Sequence, residues 1–214
     1  MKDYPELLYD EEALYSYVGH FAEKHGLAQT LQALPFARDC HKGQHRDSRE
    51  HIPYIIHPLQ MAKHAIALQL VDDEILTAAL LHDVCEDCGI FPEQLPVSKS
   101  LQDSVALLTK NWKAGEESEA LEKQYYEAIA QDPTASIVKL LDRCNNLSSM
   151  ADGFSLPRIR RYLEETKTYY GPLVTAMLER YGQYETQIYA ICYQMHSVFH
   201  AYSRMLKNQK DENV

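Results

Sequence analysis

Long apolar runs are missing from this chain of 214 residues. None approaches the roughly 18 consecutive apolar residues that a membrane-spanning helix needs. The first residues, MKDYPELLYDEE, are too acidic for a secretory signal peptide. We therefore expect a soluble, cytoplasmic protein with no membrane partner.

Positive charge is also scarce. The 21 lysines and arginines are outnumbered by 31 aspartates and glutamates, which leaves a formal net charge of −10 with neutral histidines. Nucleic-acid-binding proteins usually present a basic face, so we expect no nucleic-acid partner. An anionic small molecule stays compatible with this charge if a local cluster of cations, or a metal ion, overcomes the average field.

Cysteines are few and odd in number, and they are scattered through predicted helices. Such a set argues against a disulfide framework and suits a reducing compartment. One CxxC pair is present, but no second pair completes a zinc site, so we interpret its spacing as coincidence. The five cysteines are Cys40, Cys85, Cys88, Cys144 and Cys192.

Strand-like alternation and internal repeats are absent, and apolar residues instead recur with a period near 3.6. This pattern predicts an all-α fold, a helical bundle of about eight to ten helices. We expect a single domain with an N-terminal packing helix within 1–27, a core from 28 to 170 and C-terminal helices from 171 to 214.

Helix ends are marked at several places. Asp72 is a predicted N-cap, and Asp132 with Pro133 combines an N-cap with proline at the first helical position. Gly26 and Gly89 are predicted to follow helix C-termini.

The most informative stretch is TAALLHDVCEDC, residues 77–88, in which an apolar helical run ends in four ionisable side chains. In one continuous helix His82 would stand over Glu86, and Asp83 over Asp87, because residues four apart share a face. Burying such groups costs several kcal/mol unless they are paired or coordinate a metal. A single His-Asp pair at a helix end is usually structural, but this group favours a bound cation.

A second polar intrusion in an apolar helix occurs at Asp142, with Asn146 one turn later. Two histidines and two aspartates would offer two nitrogens and two oxygens to one ion. A mixed imidazole and carboxylate set without thiolate suits Mn²⁺, Fe²⁺ or catalytic Zn²⁺. We favour Mn²⁺, and another divalent transition metal is the alternative; the candidate ligands are His57, His82, Asp83 and Asp142.

Five segments in order, CHKGQHR, PYIIHP, LLHDVCED, LTK and VKLLDRCNN, resemble the HD-domain hydrolases of the RelA/SpoT group. The resemblance is greatest to the free-standing small alarmone hydrolases, including the metazoan ones, and it runs from about Phe36 to Tyr170. It implies an HD-domain helical bundle in which the four candidate ligands bind Mn²⁺. It also implies that Glu86 and Asp87 manage the attacking water.

The resemblance further implies a nucleotide substrate. The reaction in the family removes the 3′-pyrophosphate of guanosine tetra- or pentaphosphate and gives GDP or GTP and pyrophosphate. Arg46 would contact the nucleoside, and Asn146 would help to place the substrate. Further candidates for substrate contacts are Ser149, Tyr170, which fits a core tyrosine equally well, and the cations Lys42, Lys110, Lys139 and Arg143.

Some positions depart from the family pattern. Asp47 stands where many relatives have lysine, the loop DSREHI lacks their usual glycine, and Asn145 replaces a common His or Tyr. These positions lie near the expected nucleoside, so adenosine analogues are an alternative to guanosine.

Other functions stay open. One is another nucleotide phosphohydrolase of the HD superfamily, such as a deoxynucleotidase, and one is a non-catalytic alarmone-binding module. The complete set of metal and water residues favours an enzyme. Neutralisation of an alarmone synthetase is a further role, and the oligomeric state is not indicated.

Two further histidine pairs have a spacing of four residues. His41 and His45 fit a metal site by spacing, although His41 better suits a supporting hydrogen bond. His196 and His200 suit packing or surface positions.

Overall fold

All regular elements in the described part of the chain are helical. The computed structural model describes residues 8–46, 51–110, 112 and 118–211, with side chains as far as 208. The predicted all-α fold is confirmed. No helix in these ranges is long and apolar enough to cross a membrane. The α-helices are α1 Glu11–His25, α2 Ala28–Cys40, α3 Ile56–Ala67, α4 Asp73–Leu81, α5 Val84–Cys88, α6 Lys99–Leu108, α7 Glu119–Ile129, α8 Pro133–Gly153, α9 Leu156–Glu165, α10 Gly171–Arg180 and α11 Glu185–Asp211.

Three short turns complete the regular structure of the described residues. Pro92–Gln94 and Gly182–Tyr184 form single 3₁₀ turns. Thr166–Tyr170 forms a π-helical turn that joins α9 to α10 without an intervening loop. Turns of this kind are frequent near functional sites, and this one lies beside the aromatic residues that pack against α8.

Helix α4 occupies the centre of the fold. Its side chains from Ile75 to Leu81 are all buried, because α2, α3, α6 and α8 pack around it. Each fully buried aliphatic side chain contributes about 1.5–3 kcal/mol. The apolar half of the 77–88 stretch therefore anchors the ionisable half in space.

A polar contact sets the register between α4 and α2. The Asp73 carboxylate accepts hydrogen bonds from the backbone N–H groups of Gln29 and Thr30, at 3.0 and 2.8 Å. These N–H groups lie in the first turn of α2, where they lack partners within their own helix and where negative charge is favourable. The Thr30 hydroxyl donates to Asp73 at 2.7 Å and lies 3.2 Å from the Thr77 hydroxyl oxygen.

The predicted helix ends are confirmed. Asp72 accepts hydrogen bonds from the second and third residues of α4, and Asp132 accepts one from Ala135 N–H at 2.6 Å. Gly26 and Gly89 follow α1 and α5 with φ of 67°. This left-handed conformation favours a residue without Cβ.

The central stretch is not one helix, and that prediction was wrong. Helix α4 ends at Leu81 and α5 begins at Val84, with Asp83 at φ −100° and ψ −6°. Successive side chains on a regular α-helix point about 100° apart and do not face each other. The break allows His82 and Asp83 to turn towards one point.

The connection between α2 and α3 is held by a narrow antiparallel pairing. His45 pairs with Pro53, Arg46 N–H donates to the Ile52 carbonyl oxygen at 2.8 Å, and Tyr54 N–H donates to the Gln44 carbonyl oxygen at 3.0 Å. This pairing places Arg46 beside the start of α3. Asp47, one of the departures from the family pattern that bear on the choice between guanosine and adenosine, lies within positions 47–50, which are outside the described residues.

Candidate metal centre

The four predicted ligands converge where α3, α8 and the α4–α5 break meet. His57 Nε2 lies 3.2 Å from His82 Nε2, and His82 Nε2 lies 2.9 Å from Asp83 Oδ2. These three residues each place one ligand atom within 4.8 Å of the others. Asp142 Oδ1 adjoins the group at 3.3 Å from His57 Nε2 and 3.9 Å from His82 Nε2.

Hydrogen bonds determine which ring nitrogen of each histidine faces this group. His57 Nδ1 donates to Asn145 Oδ1 at 2.7 Å, and His82 Nδ1 donates to the Ala79 carbonyl oxygen at 3.0 Å. Both Nε2 atoms are then free to present lone pairs, and two lone pairs at 3.2 Å repel unless a proton or a cation lies between them. Two imidazole nitrogens with two carboxylate oxygens fit a divalent transition metal.

The electrostatics of the cluster also call for positive charge. Burial lowers the pKa of His57, with Arg46 acting in the same direction. Burial opposes charge on His82 as well, but Asp83 and then Asp142 raise its pKa to about 9. A proton on His82 Nε2 and a metal ion are therefore alternative sources of the positive charge that the carboxylates require, and a bound metal ion would replace that proton.

The two aspartates stay ionised for complementary reasons. Burial alone would raise the pKa of each carboxyl group. His82 nevertheless holds the pKa of Asp83 below its ordinary value, and Lys139 does the same for Asp142. Ionised carboxylates are the form that binds a cation.

Two residues that were not predicted to belong to the site form hydrogen bonds with candidate ligands. The Tyr54 hydroxyl donates to Asp83 Oδ2 at 2.6 Å, and Asn145, noted only as a departure from the family pattern, accepts the His57 proton. Tyr54 precedes one ligand by three residues and Asn145 follows another by three. That spacing was the signal that could have found them.

His41 supports the site indirectly. Its ring stacks on Tyr54 with 4.7 Å between ring centres, and its Nδ1 lies 2.7 Å from Gln44 Oε1. His45 is exposed and lies outside the ligand cluster. The two histidines therefore do not act as a pair.

Glu86 and Asp87 line an open cavity of about 270 Å³ whose wall includes three of the ligands, His57, Asp83 and Asp142. Loss of hydration in the cavity and the nearby Asp83 charge raise the pKa of both carboxyl groups. The Lys110 backbone N–H donates to Glu86 Oε2 at 3.3 Å and fixes its direction. A carboxylate of raised pKa is a better proton acceptor near neutral pH.

A second wall of the cavity carries three of the predicted substrate contacts. Arg46 Nη2 donates to Asn146 Oδ1 at 2.7 Å and to Ser149 Oγ at 3.3 Å. Asn146 Nδ2 donates in turn to Asp142 Oδ1. The guanidinium is thereby connected to a metal ligand through one amide.

A third wall of the cavity carries Phe154, Arg158 and Tyr162, which were not predicted. The Arg158 guanidinium carbon lies 3.7 Å from the centre of the Phe154 ring, and Phe154 meets Tyr162 edge-on with 5.5 Å between ring centres. Stacked guanidinium and aromatic groups suit a planar base. These residues lie beyond the motif-bearing half of α8, and no pattern in the sequence marks them.

None of the four predicted cations lines this cavity. The Lys110 ammonium group pairs with Glu122 at 2.7 Å. Lys42 is exposed and borders a separate cavity beside His41. Lys139 contacts Asp142 Oδ2 at 3.3 Å and lies 5.4 Å from the centre of the Tyr125 ring. Lys139 therefore balances the negative charge of Asp142, a candidate ligand, without lining the cavity.

Arg143 and Tyr170 are also placed away from the cavity. Arg143 follows Asp142 on α8 and points to another face, where it pairs with Glu165 and lies 3.7 Å from the centre of the Tyr162 ring. Tyr170 is buried, with the same guanidinium 4.6 Å from its ring centre. Both positions are those of packing residues between α8 and the π-helical turn.

Comparison with known proteins assigns the fold to a family. A model of the HD domain matches residues 33–178, which is more than half of the chain. The chain belongs to the HD domain family. The match includes every residue of the ligand cluster and both carboxylates of α5.

Curated relatives of this HD domain protein carry informative names. It is 37% identical over 150 residues to the guanosine-3′,5′-bis(diphosphate) 3′-pyrophosphohydrolase of Vibrio cholerae, a match that covers 66% of this chain and 21% of the relative. It is 32% identical over 173 residues to the bifunctional (p)ppGpp synthase/hydrolase SpoT of Escherichia coli, covering 78% and 24%. The chain thus spans between a fifth and a quarter of the length of these relatives.

A solved structure shows the same architecture. It is that of a metazoan orthologue of SpoT described as hydrolysing ppGpp and acting in starvation responses. The match has a TM-score of 0.61, covers 78% of this chain and 95% of the other, and has 23% sequence identity. The likeness confirms the predicted HD-type helical fold.

Proposed function

We propose that this protein hydrolyses an alarmone nucleotide, removing the 3′-pyrophosphate of guanosine tetra- or pentaphosphate to leave GDP or GTP and free pyrophosphate. The observation that carries the proposal is the convergence of two histidine Nε2 atoms and two carboxylates beside a cavity that is lined by Glu86 and Asp87 and by Arg46, Asn146 and Ser149. The printed names of the Vibrio cholerae and Escherichia coli relatives support this reaction.

The proposed cofactor is Mn²⁺, held by His57, His82, Asp83 and Asp142. A mixed nitrogen and oxygen donor set supports this ion over magnesium or calcium, which prefer oxygen alone. When bound, such a cation lowers the pKa of water and offsets negative charge on a phosphoryl group.

The carboxylates of α5 would receive the proton. Glu86 and Asp87 face the cavity beside the ligands, and their raised pKa values support acceptance of a proton from the attacking water. The water oxygen would bond to the phosphorus atom attached to the 3′-oxygen, and the bond between that phosphorus and the 3′-oxygen would break. A proton passed to the 3′-oxygen then leaves a 3′-hydroxyl on the nucleoside and releases pyrophosphate.

The nucleoside would occupy the part of the cavity away from the ligands. Arg46, held by Asn146 and Ser149, would orient it, and the base would lie against the Phe154 and Arg158 surface. Guanosine is the proposed nucleoside, with adenosine as the comparison to be measured. We propose that Lys139, Arg143 and Tyr170 support the residues that line the cavity. Lys42 would make no direct contact with the substrate.

The test is turnover of guanosine and adenosine tetraphosphates with and without Mn²⁺, with product identification. We expect pyrophosphate release from the wild type and none from His82→Ala or Asp142→Ala, because each loses a ligand atom. His196→Ala is the matched control, since that histidine is exposed on α11.

Other results would contradict the proposal. Full activity in the presence of chelator, or unchanged activity in Asp142→Ala, would exclude the metal mechanism. Orthophosphate release would favour a different nucleotide phosphohydrolase of the HD superfamily. Tight binding without turnover would favour a sensing module.

A further inference from the structure

We propose that Gln60 is a positioning residue that sets the tautomer of the metal ligand His57. It would act through Asn145 and take its own orientation from the backbone carbonyl of Leu8. The proposal rests on the metal site of the proposed function. It adds a chain of hydrogen bonds that links the N-terminal segment to that site.

The series of hydrogen bonds begins at the Leu8 carbonyl oxygen. A backbone carbonyl can only accept hydrogen bonds. Gln60 Nε2 lies 2.6 Å from the Leu8 carbonyl oxygen, so the amide must direct its NH₂ group there. Its Oε1 is then directed the other way, towards α8.

The direction is passed on through a second amide. Asn145 Nδ2 donates to Gln60 Oε1 at 3.0 Å, which leaves Asn145 Oδ1 facing His57 Nδ1 at 2.7 Å. An amide oxygen accepts only, so Nδ1 must carry the proton. His57 Nε2 is left with the lone pair that a metal ion needs.

The second ligand histidine has no such dependence. His82 Nδ1 donates directly to the Ala79 carbonyl oxygen at 3.0 Å, and a backbone carbonyl cannot exchange donor for acceptor. An amide can, because rotation by half a turn exchanges oxygen and nitrogen with little change in shape. A rotated Asn145 would donate to Nδ1, move the ring proton to Nε2 and disable His57 as a ligand.

Two substitutions in combination test this relay. Gln60→Met keeps a side chain of similar length but removes both hydrogen bonds, so Asn145 is free to rotate. Asn145→Asp presents an accepting oxygen to His57 in either orientation, so the tautomer no longer depends on Gln60, and its other oxygen faces Gln60 Oε1 without a proton between them. We expect Gln60→Met to weaken Mn²⁺ binding by about 10-fold in the native background and not to weaken it in the Asn145→Asp background.

The tautomer itself is measurable without substrate or metal. Imidazole ¹⁵N shifts in protein without added metal should show the His57 proton on Nδ1 in the wild type and partly on Nε2 in Gln60→Met. Gln60→Glu still accepts from Asn145 Nδ2 and should retain the native tautomer. Gln187→Met is the control, since Gln187 likewise donates to a backbone carbonyl, that of Leu68, at 3.3 Å.

The results distinguish the hydrogen-bond relay from a packing role of Gln60, and they are independent of the proposed function. Equal loss of Mn²⁺ affinity in both backgrounds would show a packing role for Gln60 and overturn the proposal, as would an unchanged tautomer in Gln60→Met. Neither measurement requires turnover, so a shifted tautomer in a protein that hydrolyses no alarmone would overturn the proposed function and leave this inference standing.

Discussion

At the scale of single residues, the candidate metal ligands have hydrogen-bond partners that affect protonation as well as position. The Tyr54 hydroxyl donates to Asp83 Oδ2 at 2.6 Å. Burial, and then the neighbouring Asp83 charge, raise the pKa of Tyr54 far above its usual value. The phenol therefore stays protonated and keeps Asp83 supplied with a donor.

Removal of that donor should loosen the metal site without disturbing the fold. Tyr54→Phe keeps the ring that stacks on His41 and loses only the hydroxyl. We expect Mn²⁺ affinity to fall by about 10-fold, because partners of metal ligands typically have effects of this size. Calorimetric titration measures it, with Tyr193→Phe at an exposed position as the control. Equal affinities in the two variants would contradict the assignment.

Variants of the two α5 carboxylates should lose activity but keep their affinity for the metal ion. Glu86→Gln and Asp87→Asn remove a proton acceptor and leave the four ligands in place. We expect the variant that lacks the acting base to lose about 100-fold or more in kcat, with nearly unchanged Mn²⁺ affinity. The matched control is Glu127→Gln, exposed on α7. Wild-type kcat in both variants would exclude the two residues as the base.

At the scale of elements, the break between α4 and α5 matters most. It turns two adjacent candidate ligands towards one point, and the helix that carries Glu86 and Asp87 is only five residues long before Gly89 ends it. So short a helix has little stability of its own. Its end therefore depends on local backbone conformation.

Gly89→Ala tests that dependence. An added Cβ would meet no atom within 4 Å, so the cost comes from the left-handed backbone, φ 67°, alone. We expect a loss of about 1 kcal/mol in the free energy of unfolding. Urea unfolding measures it. Gly171→Ala, also without a Cβ contact within 4 Å and with φ −59°, should cost little, and equal losses would contradict the backbone explanation.

At the scale of the whole molecule, an ion pair between buried Arg143 and half-buried Glu165 connects α8 to α9. Arg143 donates to Glu165, and its guanidinium lies between the rings of Tyr162 and Tyr170. Burial alone would raise the pKa of Glu165, but Arg143 lowers it below its ordinary value of 4.5. The folded state therefore binds this proton less readily than the unfolded state.

The sign of the pH dependence follows from that difference. The stabilisation from Glu165 is complete above the unfolded value of 4.5 and is lost as pH falls through the lower folded value. Glu165→Gln should be less stable than the wild type near neutral pH, on the order of 2 kcal/mol, and this difference should narrow as the pH falls below 4.5. Urea unfolding across this range measures it, with exposed Glu164→Gln as control. A gap independent of pH would contradict the role of ionisation.

Local patterns in the sequence were sufficient for the fold class and for the candidate ligands. Apolar periodicity indicated helices, and the caps at Asp72 and Asp132 depend on hydrogen bonds to residues two or three positions away. His82 and Asp142 were noticeable because each interrupts an apolar stripe, where an ionised group is costly. The family resemblance supplied their reaction.

Tertiary structure alone decided which side chains meet. Gln60 and Asn145 are 85 positions apart in sequence, and Arg46 and Asn146 are 100 apart. Arg143 points to Glu165 because α8 buries that face against α9. The break after Leu81 also reflects contacts from several helices. These features depend on packing between segments distant in the chain, whereas the predicted caps and helices depend on near neighbours, which is why only the latter could be predicted.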